Sequence, residues 1–165
     1  MIEVSNSVDV DTTREAAWDL LSDFEGVWED SNPAHRGTKV LSEPKRPLRD
    51  GLQWWQREKV GPVQGEFVAT LHDVVPKQEF SWTAQATYRL LGVTFTVDEG
   101  GHFVIKKQGR GITLRHDLWG KFRDTQKGRV LRWIEVHLLG ERHSMASHNL
   151  TELHYFKTCL EQAAI

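Results

Sequence analysis

The stretch from Ala69 to Trp82, Ala-Thr-Leu-His-Asp-Val-Val-Pro-Lys-Gln-Glu-Phe-Ser-Trp, constrains the fold more than any other part of this chain. Apolar and polar residues alternate from Ala69 to His72, Val74-Val75 close the strand, Pro76 removes a backbone donor and favours a turn, and alternation resumes at Phe80-Ser81-Trp82. That pattern predicts two antiparallel strands sharing one apolar face.

Similar patterning surrounds this pair. Strands are expected at Thr38–Ser42, Leu52–Val60, Gly65–Val75, Glu79–Tyr88, Val93–Val97, His102–Lys107 and Ile112–Trp119. Turn signals such as Asp50-Gly51 and Gly61-Pro62 separate most of them, as in an antiparallel meander. Glu99-Gly100-Gly101 reads either as a hairpin turn or as a bulge inside one long strand. Gly109-Arg110-Gly111 reads as a hairpin turn.

The two ends of the chain differ. Ile2, Val4, Val8 and Val10 alternate with polar residues as in a half-buried strand, with Asn6 breaking the apolar face once. Thr12-Thr13-Arg14-Glu15 has capping-box spacing, with Thr12 as the cap and Glu15 reaching back to it. The helix expected from Thr13 to about Asp23 groups Ala17, Leu20, Leu21 and Phe24. A short irregular or helical segment holds Trp28, and Asn32-Pro33 ends it. From Gly128 to about Gln162 there is no proline and the spacing is helical. Leu150, Leu153, Phe156 (or the stem of Lys157) and Leu160 form a stripe, with Glu152, Lys157 and Glu161 outside it. Gly140 marks a candidate break between a shorter helix and the long terminal one.

One strand and helix, six or seven further strands and a long final helix make an α+β order. The terminal helix is the element long enough to cover the sheet. A strongly twisted sheet curling round one helix leaves a cavity between them. With 165 residues the chain is read as one domain, 1–165, able to bury roughly 70% of its unfolded surface. The charge of -2 and pI near 6.4 give no reason to expect a nucleic-acid partner. The densest basic cluster, Lys45, Arg46 and Arg49, sits beside Pro44 and Pro47 and reads as a solvated loop. A single cysteine, Cys159, excludes an internal disulfide and fits a reducing, cytoplasmic setting. No signal-peptide core and no apolar run of membrane-spanning length is present in the sequence. Asn149-Leu150-Thr151 matches a glycosylation acceptor by chance in a helical setting. The seven tryptophans either fill wide gaps in a core or line a roomy aromatic pocket.

At this point the chain resembles a known family. Val8–Phe24, with its Ala17-Trp18 and Leu21-Ser22-Asp23, is similar to the opening strand and helix of the SRPBCC superfamily, also called START or birch-pollen-allergen-like. Leu71–Trp82 follows that family's valine-acid-valine-x-proline and leucine-x-tryptophan pattern. Gly109–Leu114 matches its glycine-threonine hairpin loosely, because Ile112 intervenes before Thr113. Leu153–Glu161 fits the end of its final helix. The polyketide cyclase/dehydrase branch is the nearest in pattern. The resemblance implies a helix-grip fold, a curved antiparallel sheet of about six to seven strands wrapped round a long C-terminal helix, with small helices after the first strand and a deep apolar pocket. Members include small-molecule carriers, aromatase/cyclases and partners of a chaperone ATPase, so the fold does not fix the function.

Strand parity then nominates the pocket wall. Leu114, His116 and Leu118 face inward on one strand; Phe80, Trp82, Ala84 and Ala86 on another; Phe67, Ala69 and Leu71 on a third. Phe95, Phe103 and Ile105 join them, as does Leu153 from the helix. Trp54 and Trp55 are adjacent and face opposite ways. Arg57 and Lys59 share the parity of Trp55, which makes Trp54 the wall and leaves Trp55 on the outer face. There it is expected to pack under the Pro44–Asp50 loop or a neighbouring lysine stem, or to mark a contact site for a partner or a second molecule of the same chain.

His116 is the candidate for chemistry, as a ligand-orienting imidazole or a general acid/base, with Glu58 on the parity of Trp54 as its candidate neighbour. The plainer alternative is a buried histidine bonded to Gln56, Glu58 or a backbone carbonyl. His143, His148 and His154 are spaced by five and six, which does not align ligands on one helix face. His137 and Glu141 are four apart but are only two groups. No metal site and no cofactor is expected on these spacings. Gly-x-Ser-x-Gly, phosphate-loop and dinucleotide fingerprints are absent from the sequence, and Cys159 lies late on a helix, away from any activating N-terminus.

Three functions follow: a binder of a small hydrophobic molecule (lipid, steroid or aromatic polyketide), an aromatase/cyclase or dehydratase using His116, and a protein-interaction module with a vestigial pocket. The binder is the preferred reading. The sequence sets no oligomeric state, and a monomer is compatible with it.

Overall fold

The computed structural model describes residues 1–60, 62–123 and 141–163. Strand β1 (Ile2–Val10) leads into helix α1 (Arg14–Leu21) and a single π-helical turn (Phe24–Trp28). Strands β2 (His35–Val40), β3 (Gln53–Val60), β4 (Val63–Val75), β5 (Glu79–Leu90), β6 (Val93–Gln108) and β7 (Gly111–Phe122) follow, then helix α2 (Glu141–Gln162). The expected helix from Gly128 therefore begins, among the described residues, at Glu141, and Gly140 and His137 lie outside them.

The strands form one antiparallel sheet in the order β1-β7-β6-β5-β4-β3-β2. This is the α+β helix-grip arrangement. Its curl follows from one contact set: Glu152 on α2 meets both His35 at the start of β2 and His116 on β7. Those strands have β3, β4, β5 and β6 between them, so a flat sheet could not bring them to one carboxylate. Right-handed twist supplies that curvature.

The turn at Pro76 behaves as its sequence demands: β4 ends at Val75, Gln78 N–H returns to Val75 C=O at 3.0 Å and β5 opens at Glu79. Other boundaries shift for local reasons. The cap of α1 is Thr13, whose hydroxyl accepts from Ala16 N–H at 3.1 Å, while Glu15 turns outward to Lys77. β2 starts at His35 because that residue already pairs with Glu58, and it ends at Val40 rather than Ser42.

Glu99-Gly100-Gly101 is neither a hairpin turn nor a bulge. β6 runs through it with unbroken register to β5 and β7. The glycines make room for rings instead. A Cβ on Gly100 would lie 2.5 Å from Trp82 O and 2.7 Å from the Trp119 ring, and one on Gly101 would lie 2.4 Å from Trp82 Nε1.

Between sheet and helix lies an aromatic core. Phe24 stacks on Trp28 at 4.7 Å and on Trp54 at 4.6 Å, and Trp28 meets Phe103 edge-on at 5.2 Å. Helix α2 contributes Leu153, Phe156 and Leu160, all buried, each worth about 1.5–3 kcal/mol by removal of apolar surface from water. Leu150, expected in that stripe, is 38% exposed, whereas Asn149 and Glu152 are buried.

Asparagines fix the register of this helix. Asn6 Nδ2 donates to Asn149 Oδ1 at 3.0 Å, Asn149 Nδ2 to His116 C=O at 2.9 Å, and Asn32 Nδ2 to His148 C=O at 3.1 Å. The polar break at Asn6 in β1 is thus an anchor for α2. Trp55 is half-buried on the outer face, lying across Gly37 with the Arg57 guanidinium 5.3 Å from its ring centroid. Among the described residues no helix is long and apolar enough to cross a membrane.

Candidate functional site

A cavity of about 360 Å³ lies inside the curl. Its wall includes Trp28, Trp54, Phe67, Trp82, Phe95, Leu118, Trp119 and Phe122, with Gln56, Glu58, Glu99, His116, His148 and Glu152 as its polar part. Exposure grades along it. Trp28, Trp54, Trp82 and His116 are buried, whereas Phe95, Leu118 and Phe122 are half-buried and Pro62 is exposed, so among the described residues the cavity opens toward Pro62 and the start of β6.

Of the residues nominated by parity, Trp54, Phe67, Trp82, Phe95, His116 and Leu118 border the cavity, and Glu58 does too. Leu71, Phe80, Phe103, Leu114 and Leu153 point to the same side but belong to the packed core beneath it. Parity distinguishes faces, not depth. The rings of the wall are ordered against one another: Phe67 and Trp82 are parallel, 5.8 Å apart, and Trp54 meets Trp82 edge-on at 5.7 Å. Gly65 permits the Tyr88 ring to lie across β4, since a Cβ there would fall 2.3 Å from it.

The polar part centres on Glu152, which the stripe on α2 had placed outside. One carboxylate oxygen, Oε1, lies 2.9 Å from His148 Nε2 and 3.3 Å from His35 Nε2; the other, Oε2, lies 3.2 Å from His116 Nδ1. Burial works to raise the Glu152 pKa, but His148, His116 and His35 together hold it well below the usual carboxylate range. Burial likewise works to lower His148, and the carboxylates of Glu152, Glu58 and Glu99 hold it up at about 9. His35 follows the same pattern: burial opposes its charge, and Glu152 and Glu58 outweigh burial and raise it. His116 goes the other way, because burial lowers its pKa by more than Glu152 restores. It also stacks on Phe103 with centroids 3.6 Å apart.

His116 is therefore the neutral imidazole of the group, its Nδ1 side toward Glu152. Its Nε2 atom has no hydrogen-bond partner among the described residues and is shielded from solvent, lying beside Trp82 Nε1 above Gly101. Gln56 donates to Glu58 at 2.7 Å rather than to His116.

Glu99 is the second perturbed carboxyl. Burial, reinforced by the nearby Glu58, pushes its pKa up to about 8. Tyr88 O–H donates to Glu99 Oε2 at 2.8 Å. At neutral pH the acid carries its proton, so the carboxyl can donate as well as accept.

No known family profile matches the chain, and no curated protein does. Solved structures are similar over its full length. A protein from Thermus thermophilus superposes with a TM-score of 0.73 at 13% identity, covering 99% of each chain. A START superfamily protein from Mycobacterium smegmatis gives 0.58 at 20% identity over 92% of this chain and 98% of its own. The fold is START-like. An aromatase/cyclase from a Streptomyces species shares it, with a TM-score of 0.67, 14% identity and coverage of 99% and 95%. At such identities the likeness concerns the fold, and the site must speak for itself.

Proposed function

We propose that the cavity binds one small, flat, mainly apolar molecule that carries a carbonyl or hydroxyl oxygen. The observation that carries this reading is Glu99. It is a buried acid on the wall of an aromatic cavity, with its pKa near 8. A ligand oxygen would accept from this neutral acid, and the tryptophan faces would take the rest of the molecule. A volume of about 360 Å³ suits about two or three fused rings, near the small end of ligand pockets. An aromatic polyketide-like compound fits this description better than a long-chain lipid.

A second reading, an aromatase/cyclase or dehydratase, draws support from one contrast. Burial depresses the His116 pKa and raises that of Glu99, which is how a base and an acid come to coexist in one pocket. Against it, His116 Nε2 is buried close to the Trp82 indole and the Gly101 backbone rather than open to the cavity's solvent. Binding is the reading the geometry favours.

Tryptophan fluorescence, titrated with a hydroxyanthraquinone and with a saturated fatty acid as comparison, tests the proposal. Saturable quenching by the ring compound, weakened about tenfold in Glu99→Leu by loss of one hydrogen bond, is the expected result. Equal affinity of the wild type and Glu99→Leu would remove Glu99 from the site. Turnover of a linear polyketone, abolished by His116→Ala, would favour the enzyme.

A further inference from the structure

We propose that His35 Nε2, His148 Nε2 and Glu152 Oε1 form a three-ligand site for a divalent first-row transition metal of the zinc class, with a remaining coordination position toward the cavity. The three residues come from the start of β2 and from one face of α2, where His148 and Glu152 are four apart. Their donor atoms all lie within 4.8 Å of one another. The contacts to Glu152 Oε1, 2.9 and 3.3 Å, match the separation of about 3.3 Å between neighbouring donors around a tetrahedral ion with bonds near 2 Å.

Hydrogen bonding around the site supports metal ligation. His35 Nδ1 lies 2.6 Å from the Trp28 carbonyl oxygen. A carbonyl only accepts, so Nδ1 carries a proton and Nε2 is the ring nitrogen turned to Glu152. Nε2 of this wholly buried side chain makes no aligned hydrogen bond, although it lies 3.3 Å from a carboxylate oxygen. A histidine that donates one ring N–H to a backbone carbonyl and leaves the other nitrogen bare is the arrangement that orients metal-bound imidazoles.

The other carboxylate oxygen faces a different imidazole. His116 Nδ1 faces Oε2, leaving Oε1 for the ion. Glu58 Oε1, 3.8 Å from His35 Nε2, adds a second negative charge beside the site. The helix turn bearing His148 is fixed by Asn32 and Asn149, so the ligands are set before an ion arrives. Two imidazoles and one carboxylate are borderline donors that suit zinc, cobalt or iron(II) over calcium or magnesium. His148 and Glu152 border the cavity and His35 does not, which turns the open position toward the ligand space. The site stands on these residues whether or not the cavity takes an organic molecule.

The test is calorimetric titration of the full chain, freed of metal by chelator, with zinc chloride. One ion per chain at about micromolar dissociation or tighter is expected, weakened roughly 100-fold or more in His148→Ala and unchanged in His102→Ala, a variant of the half-buried histidine beside Glu79 and Asp117. If His148→Ala fails to fold, zinc K-edge absorption of the wild-type complex decides. Two imidazoles with an oxygen donor support the site, and a shell lacking imidazole or containing sulfur overturns it. No stoichiometric binding, or binding lost in His102→Ala and kept in His148→Ala, overturns it as well.

Discussion

Replacing Glu99 by glutamine is expected to stabilise the protein, by an amount that grows with pH. The unfolded carboxyl ionises near 4.5, whereas the folded one holds its proton up to about 8. Between those values the native state binds a proton that the unfolded state has lost. Stability contributed by this group is therefore complete below pH 4.5 and falls by about 1.4 kcal/mol for each pH unit until the folded carboxyl ionises. Across the window the loss is on the order of 5 kcal/mol, a large part of the stability of an ordinary domain. Glutamine has no such proton and keeps an oxygen to accept from Tyr88. Urea unfolding at a series of pH values, followed by tryptophan fluorescence, measures both proteins. Their stabilities should agree near pH 4.5 and diverge steadily, with the variant several kcal/mol ahead by pH 8. Distant groups titrate alike in both proteins and cancel in the difference, whereas His148, coupled to Glu99, adds a smaller contribution of its own. Parallel curves would refute the reasoning, as would a variant that trails at pH 8. Either would mean that Glu99 is ionised in the native state, held by His148.

Other outcomes follow from the same geometry. Affinity for a carbonyl-bearing ligand should fall as pH rises through about 8, because Glu99 then loses the proton it donates; fluorescence titrations on either side of that value check it. Gly101→Ala should cost about 1–3 kcal/mol in chemical unfolding, since its Cβ would stand 2.4 Å from Trp82 Nε1 and a packed indole must shift. Phe156→Ala, which empties a fully buried position between α2 and the Trp28–Phe103 cluster, should cost about 3–5 kcal/mol in the same assay.

The strands were legible because alternation has a period of two and turns carry their own residues. Pro76, Asp50-Gly51 and Gly109 each fell where the chain reverses. Parity also identified the inward face correctly at Trp54, Phe67 and Trp82, and carried two residues further along β5 from Ala86 it would have found Tyr88. Glu99 escaped notice because the two glycines after it look like a turn, and only the Trp82 and Trp119 rings explain why glycine is needed there. Glu152 escaped because a carboxylate one position before Leu153 falls by type on the polar side of a helix. Its burial depends on histidines contributed by β2, β7 and α2 itself. Spacing along α2 argued against a metal site, and it could not anticipate His35, which lies more than a hundred residues from Glu152 and meets it through the curl of the sheet. The nearest clue in the sequence was Asn149 beside His148 and three positions from Glu152, a polar line on a helix that had to be buried.

The central claim is that the cavity itself receives a ligand, and filling it tests that most directly. Gly120 borders the cavity, and a Cβ there would make only ordinary contacts, 3.7 Å from Met145 Cε and Val97 Cγ1. Gly120→Leu should therefore fold normally and occupy ligand space. Calorimetric titration of the wild type with a hydroxyanthraquinone is predicted to show one saturable site. The Gly120→Leu variant, with an unchanged circular dichroism spectrum, should lose tenfold or more in affinity, about 1.4 kcal/mol. Equal binding by the two proteins would place the ligand elsewhere and contradict the account.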